Sequence, residues 1–319
     1  MGGLGALIKK ELADHLSSYR FVMIFALILM VSLILVYMAA GGIAEELRGE
    51  KLPRYVFLML FTSSKINISL VQFVAFFGPL IGLILGFDSI NRERNEGTLS
   101  KLLAQPIYRD TVINGKFLAG VIVIAVMMAS IILIITGLGL YTVGAKPGIE
   151  EFWRIFIYLI ISIVYISLWF GVSILFSILF RSIATSALSS FAIWIFFSFF
   201  LSFGVNAALT AMFSAEKLSS PQAIVRVANL IKALSFASPL ILYNDATATI
   251  IDPMRRTVSP FIVQMGIMER LSMARFAGPL PLTQSFLIVA PYIVYLIALT
   301  LICFTVSYVI FMRQEIRSV

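Results

Sequence analysis

The sequence predicts an all-α integral membrane fold with six transmembrane helices. Hydrophobic residues make up 60% of the chain and charged ones only 13%, where soluble domains run at about half and about a quarter. Mean hydropathy is +1.01. Six charge-free runs, over 21–44, 66–87, 117–145, 155–180, 182–215 and 276–312, each exceed the roughly 20 residues a helix needs to cross about 30 Å of hydrocarbon. Two shorter ones, 233–244 and 257–268, would rise only about 18 Å at helical pitch and read as re-entrant or interfacial pieces. The whole of 1–319 is expected to be a single transmembrane domain.

Residues 1–20 precede the first span as a separate element. In "LGALIKKELADHLSSYR", Leu4, Ile8 and Leu12 recur at helical spacing with Leu7 and Leu16 beside them, while Lys9, Lys10, Glu11 and Asp14 fall on the other side. That pattern suits an interfacial helix with its lysines near lipid phosphates; a solvated N-terminus is the plainer alternative. His15 reads as another polar-face residue. The following apolar run is longer than a signal-peptide core of about 7–15 residues, so it is expected to be an uncleaved anchor.

Six spans put both termini on one side. The tails and short loops of that side hold Lys9, Lys10, Arg20, Arg92, Arg94, Lys101, Arg109, Lys116, Arg181, Arg313 and Arg317, and this excess of basic residues predicts cytoplasmic termini in a multi-pass protein of the cell membrane. The net charge of +8 then reflects anionic headgroups and loop bias rather than nucleic acid.

Between spans two and three lies a polar island, 88–116. Residues 90–116 alone carry Arg92, Glu93, Arg94, Glu96, Lys101, Arg109, Asp110 and Lys116. Leu99, Leu102 and Leu103 fall at i, i+3 and i+4 and share a helical face. Gly97 or Thr98 is expected to start that short helix, Glu93 and Glu96 to favour its positive end, and Pro106 to stop it. Such a helix fits either a groove on a partner protein or the bilayer surface.

Several chemistries are excluded. Asp110 stands where a Walker motif ending at Gly115-Lys116 needs glycine, and Phe117 follows the lysine. One histidine and no HExxH leave no metalloprotease, no GxSxG elbow occurs, and the single Cys303 precludes an intrachain disulfide. The charge-free runs lack the ionisable residues that ion-coupled carriers place within spans. Asp88, one residue past span two, is expected to be hydrated at the interface.

A resemblance decides what the island is. Glu93, then Gly97-Thr98-Leu99, Leu102-Leu103, Gln105-Pro106, Arg109 and Gly115-Lys116 resemble the cytoplasmic loop of ABC type-two export permeases. "KKEL" at Lys9 to Leu12 and "SFASPLILYNDATATIIDP" at 235–253 are similar to that family's segments before span one and, outside the membrane, between spans five and six. The resemblance implies an elbow helix at 1–20 that includes Lys9, Lys10 and Glu11. It implies a coupling helix that docks on a cytoplasmic ABC ATP-binding subunit, and a second permease copy or sister permease. ATP and Mg are expected on the partner subunit, and no cofactor, metal site or catalytic residue on this chain. Carried over by position, Glu93, Gly97, Thr98, Leu99, Leu102 and Leu103 contact the ATPase, while Arg109 and Lys116 anchor the loop to span three. The function implied is an ATP-driven exporter's permease; an ion-coupled or passive transporter and a membrane scaffold are the alternatives.

Gly78, Gly82 and Gly86 form a small-residue stripe on span two that allows close helix approach, and Pro79 is expected to bend the helix beside it. In span five, Ser190, Trp194, Ser198 and Ser202 share a face expected to line the pathway or the dimer contact. The serines of spans four and five otherwise read as small packing residues. Residues 206–284, with Lys217, Arg226, Lys232, Arg255, Arg256, Glu269, Arg270 and Arg275 among apolar stretches, are expected to be small extracytoplasmic amphipathic helices forming a lid.

Overall fold

The computed structural model describes residues 2–46, 55–62, 68–99, 108–144, 146–201, 203–204, 236–253 and 279–314. Ten helices are described: α1 (Gly2–Leu16), α2 (Tyr19–Glu46), α3 (Val56–Thr62), α4 (Leu70–Gly86), α5 (Asn91–Asn95), α6 (Arg109–Val143), α7 (Ile149–Leu179), α8 (Ile183–Ile195), α9 (Pro239–Ile251) and α10 (Leu282–Arg313). A π-helical turn, Phe196–Phe200, continues α8. No strand occurs among the described residues. Six helical stretches are long and apolar enough to cross a membrane: α2, α4 continued through α5 to Asn95, α6, α7, α8 with its π turn, and α10. Large apolar side chains such as Leu27, Leu133, Leu188 and Leu287 are exposed on them, as helices in contact with hydrocarbon require.

The charge-free runs understate two of these helices. α6 begins at Arg109, so Asp110 and Lys116 lie in its first two turns; α7 begins at Ile149 and takes in Glu150, Glu151 and Arg154. Helical hydrogen bonding does not stop where charge begins, and each buried charge here has a partner. Gly144, at φ +68°, ends α6 in the left-handed conformation that glycine tolerates.

The glycine stripe meets α7. A Cβ on Gly82 would lie 2.5 Å from the Ile166 carbonyl oxygen and 2.7 Å from the Phe170 nitrogen, and one on Gly86 would lie 2.9 Å from Ser173 Cβ. Only glycine lets the two backbones approach so closely. α4 runs unbroken through Pro79. The hydroxyls of α7 bond between elements as well as pack: Ser173 donates to the Leu83 carbonyl at 2.7 Å, and Tyr165 donates to that of Ala75 at 2.9 Å.

α9 is a short helix buried within the bundle. Ser238 caps its first turn and Pro239 opens it, and the Ser238 hydroxyl also reaches the Phe197 carbonyl in the π turn at 3.3 Å. Tyr243 stacks on Tyr165, with centroids 4.2 Å apart, and its hydroxyl lies 2.7 Å from that of Ser162. Ser162 is about 20 Å along α7 at helical rise. Of the expected surface segment 206–284, residues 239–251 therefore pack against α4, α7 and α10. Residues 205–235 and 254–278 lie outside the described ones.

Span five's face turns inward. Ser190, Trp194 and Ser198 are at most 7% exposed, and the Trp194 ring meets the edge of Phe76 on α4, with centroids 5.2 Å apart. These three side chains of the face expected to line the pathway or the dimer contact are buried within this chain; Ser202 lies outside the described residues.

Candidate functional site

At one end of the bundle the polar island meets the N-terminal helix. The chain leaves α4 through a turn at 87–90 and forms α5. No side chain of its own caps α5. Instead the Ser177 hydroxyl of α7 accepts from the Ile90 and Asn91 N–H groups at 2.9 and 3.1 Å, satisfying donors a helix start leaves orphaned. Gly97, at φ +69°, adopts the left-handed conformation just after α5, and the Thr98 hydroxyl donates to the Glu93 carbonyl at 3.2 Å. Gly97 thus terminates a helix that contains Glu93, and Thr98 and Leu99 directly after it are again helical, as expected for the start of the next one. Beyond Leu99, the expected leucine-faced helix with Leu102 and Leu103 lies outside the described residues.

Five charged side chains from three helices converge behind this turn. Lys116 of α6 donates from Nζ to Glu93 Oε1 of α5 at 2.9 Å and to Glu11 Oε1 of α1 at 3.0 Å. Lys10 Nζ reaches the same two oxygens at 3.4 and 3.0 Å, and Asp14 at 3.3 Å. Lys116, Glu11 and Glu93 are buried, whereas Lys10 is half exposed. Burial raises the Glu11 carboxyl's pKa, but Lys116 and Lys10 outweigh it and hold the group below the usual range. Burial likewise opposes the Lys10 ammonium, and Glu11, Glu93 and Asp14 more than offset it, keeping its pKa above lysine's ordinary value. Desolvation alone dominates at His15, whose pKa falls. Leu7 seats α1 on α6: a Cβ on Gly115 would come within 2.6 Å of Leu7 Cδ2.

Further bonds close this end. Asp88 is buried and paired with Arg20 of α2 and, at 3.5 Å, with Arg92; the arginines, in place of the expected interfacial water, neutralise it. Gln314, just past α10, accepts from Arg94 at Oε1 and from Arg109 at its carbonyl at 2.8 Å, and donates to the Ile178 carbonyl at 3.0 Å. Arg109 also lies over the Phe311 ring at 5.9 Å. A cleft of about 710 Å³ opens between α1 and α5, lined by Lys10, Asp14, Arg20, Arg92, Glu96 and Thr98 among others.

Two expectations change here. Glu11 is not on a solvated face with Lys9 and Lys10, because Lys116 draws its carboxylate inward; Lys9 remains exposed. Glu93 and Leu99, expected to touch a partner, are 9% and 1% exposed and face the chain's own interior. Glu96 and Gly97 are exposed. The roles of Ser177 and Gln314 escaped sequence reasoning: a serine in an apolar run and a glutamine after one carry no periodic signal.

The described residues hold no group of His, Cys, Asp and Glu arranged for a metal ion. What the end offers is mechanical: an N-terminal helix, a loop and two spans bound by charge. No curated protein matches the chain significantly. Residues 5–316 match the family described as ABC-2 family transporter protein, so with its six apolar helices the chain belongs to the ABC-2 transporter family of membrane proteins.

Proposed function

We propose that the chain is the permease subunit of an ATP-driven ABC exporter, that its α5 end faces the cytosol, and that a separate ATP-binding subunit docks there. The observation that carries the reading is the family match over residues 5–316; the ion pairs that bind α5 to α1 and α6 give it a place to act. Glu93 and Lys116 are positioning residues in this reading. They fix α5 against α1 and α6, so that force applied to the loop is passed to two helices together. Direct contact falls to the exposed Glu96 and Gly97 and to Leu102 and Leu103 beyond them. The cleft beside α5 presents both signs of charge to a docking protein, which suits specific orientation more than tight electrostatic attraction. ATP and Mg belong to the partner. A second copy or sister permease completes the translocation path.

The test is purification of the tagged full-length chain from native membranes, with mass spectrometry of associated proteins. An ATP-binding subunit should co-purify, and Leu102→Arg should abolish its retention while leaving the thermal midpoint of the chain unchanged. No ATPase on the wild-type chain, or full retention with both Leu102→Arg and Leu103→Arg, would overturn the assignment.

A further inference from the structure

The opposite end of the bundle is closed by two short buried helices, α3 and α9, and both hang on the first turns of α7. Glu151 Oε1 accepts from the Phe57 N–H of α3 at 3.1 Å, and Glu150 Oε2 accepts from the Tyr55 hydroxyl at 2.9 Å. Arg154 is fully buried. Its Nη1 donates to the Ile250 carbonyl in the last turn of α9 at 2.7 Å and to the Ser285 hydroxyl of α10 at 3.4 Å; its Nη2 donates to the Leu280 carbonyl at 2.6 Å. Nε and Nη2 both reach Glu150 Oε1, at 3.3 and 3.0 Å. One guanidinium therefore ties α7 to α9, to the segment before α10, and to α10 itself.

We propose that Arg154 is a releasable latch holding this end closed, and that a path opens there when it lets go of the Ile250 and Leu280 carbonyls while remaining paired with Glu150. The proposal rests on the transport reading for its purpose, though not for its test. What makes the contact releasable is the location of the counter-charge. Glu150 is one turn away on the same helix and its side chain is 30% exposed, so the ion pair moves with α7 as a neutral unit. Separation breaks charge-to-carbonyl hydrogen bonds that water can replace, and it strands no bare ion. The Ile250 carbonyl belongs to a helix C-terminus, where a cation is favoured and an intrahelical partner is lacking.

The experiment uses the full-length chain in detergent with Cys303→Ala and one reporter cysteine, read by its reaction rate with a charged maleimide. Thr249→Cys reports on α9, where the residue is 3% exposed, and Ser186→Cys reports on the far end, where it is fully buried. Arg154→Met should speed labelling at 249 by at least about tenfold and leave 186 within about twofold, because local opening is a separate equilibrium from global unfolding. Arg154→Lys keeps the charge but not the fork, and should give a smaller increase at 249. An unchanged rate at 249 in both variants would overturn the latch; so would a parallel rise at 186, which would make Arg154 a staple of the whole fold. Neither outcome requires a partner or cargo, so failure here and failure of the transport assignment are separately visible.

Discussion

The two ends of the bundle bury charge in opposite ways. At the α5 end, the buried ion pairs join different helices: Lys116 on α6 serves Glu11 on α1 and Glu93 on α5. At the α3 and α9 end, the ion pair lies within one helix, and Arg154 reaches its neighbours through the Ile250 and Leu280 carbonyls and the Ser285 hydroxyl. Separating the first set leaves buried ions without partners, which is costly; separating the second leaves a neutral pair. The difference suits one end that must move as a rigid unit and another that must come apart.

The largest effect expected from this contrast is at Lys116. Lys116→Met removes the cation between two buried carboxylates and should cost about 3–5 kcal/mol, read as a lowered thermal midpoint in detergent. Adding Glu11→Gln and Glu93→Gln to that variant should restore much of the loss, since neutral amides need no counter-ion. A Lys116→Met protein as stable as wild type would erase the distinction between the ends.

A smaller effect tests whether the seam between the ends is rigid. Gly82→Ala drives a methyl into the α7 backbone, which cannot yield as a side chain would, and overpacking of this kind costs about 1–3 kcal/mol. Gly137 on α6 has nothing within 4 Å of the same position, and Gly137→Ala should be neutral or stabilising by up to about 1 kcal/mol. Equal midpoints for the two alanine variants would mean that α4 and α7 slide freely, and the ends would no longer be linked through them.

The six crossing helices were legible because uninterrupted apolar length is a direct physical requirement of a bilayer. The glycine stripe was legible as well, although the partner it admits was not. Burial of charge was harder to read. Glu11 shares a helical face with Lys10 in the sequence pattern, yet tertiary pairing with Lys116, 105 residues away, overrides that pattern. Arg154 stood at the edge of a charge-free run and read as a boundary, because only the return of α9 and of the segment before α10 supplies the carbonyls that keep it inside. Ser177 as a cap in trans follows from the approach of α7 to α5, which no local spacing encodes.

The comparison also has a pH arm, expected to be the smallest of the three. With its folded pKa held below the free value of 4.5, Glu11 contributes stability that is fully present above that value and is lost as pH falls through the lower folded one. Acid should therefore loosen α1 from α6. Arg154's bonds to Ile250 and Leu280 end on carbonyl oxygens, which do not titrate, so α9 should stay in place over the same range. Single cysteines at Leu7 on α1 and Thr249 on α9, in the Cys303→Ala chain, report both events with a pyridyl disulfide, which reacts with thiols in acid. Between pH 7 and about pH 3.5, a little below the ordinary carboxylate range, the ratio of the rate at 7 to the rate at 249 should rise several-fold. Glu11→Gln should show the high ratio already at pH 7 and flatten its dependence. A ratio that is constant with pH in the chain that keeps Glu11 would mean that α1 is held by packing rather than by charge, and the two ends would then differ in geometry alone.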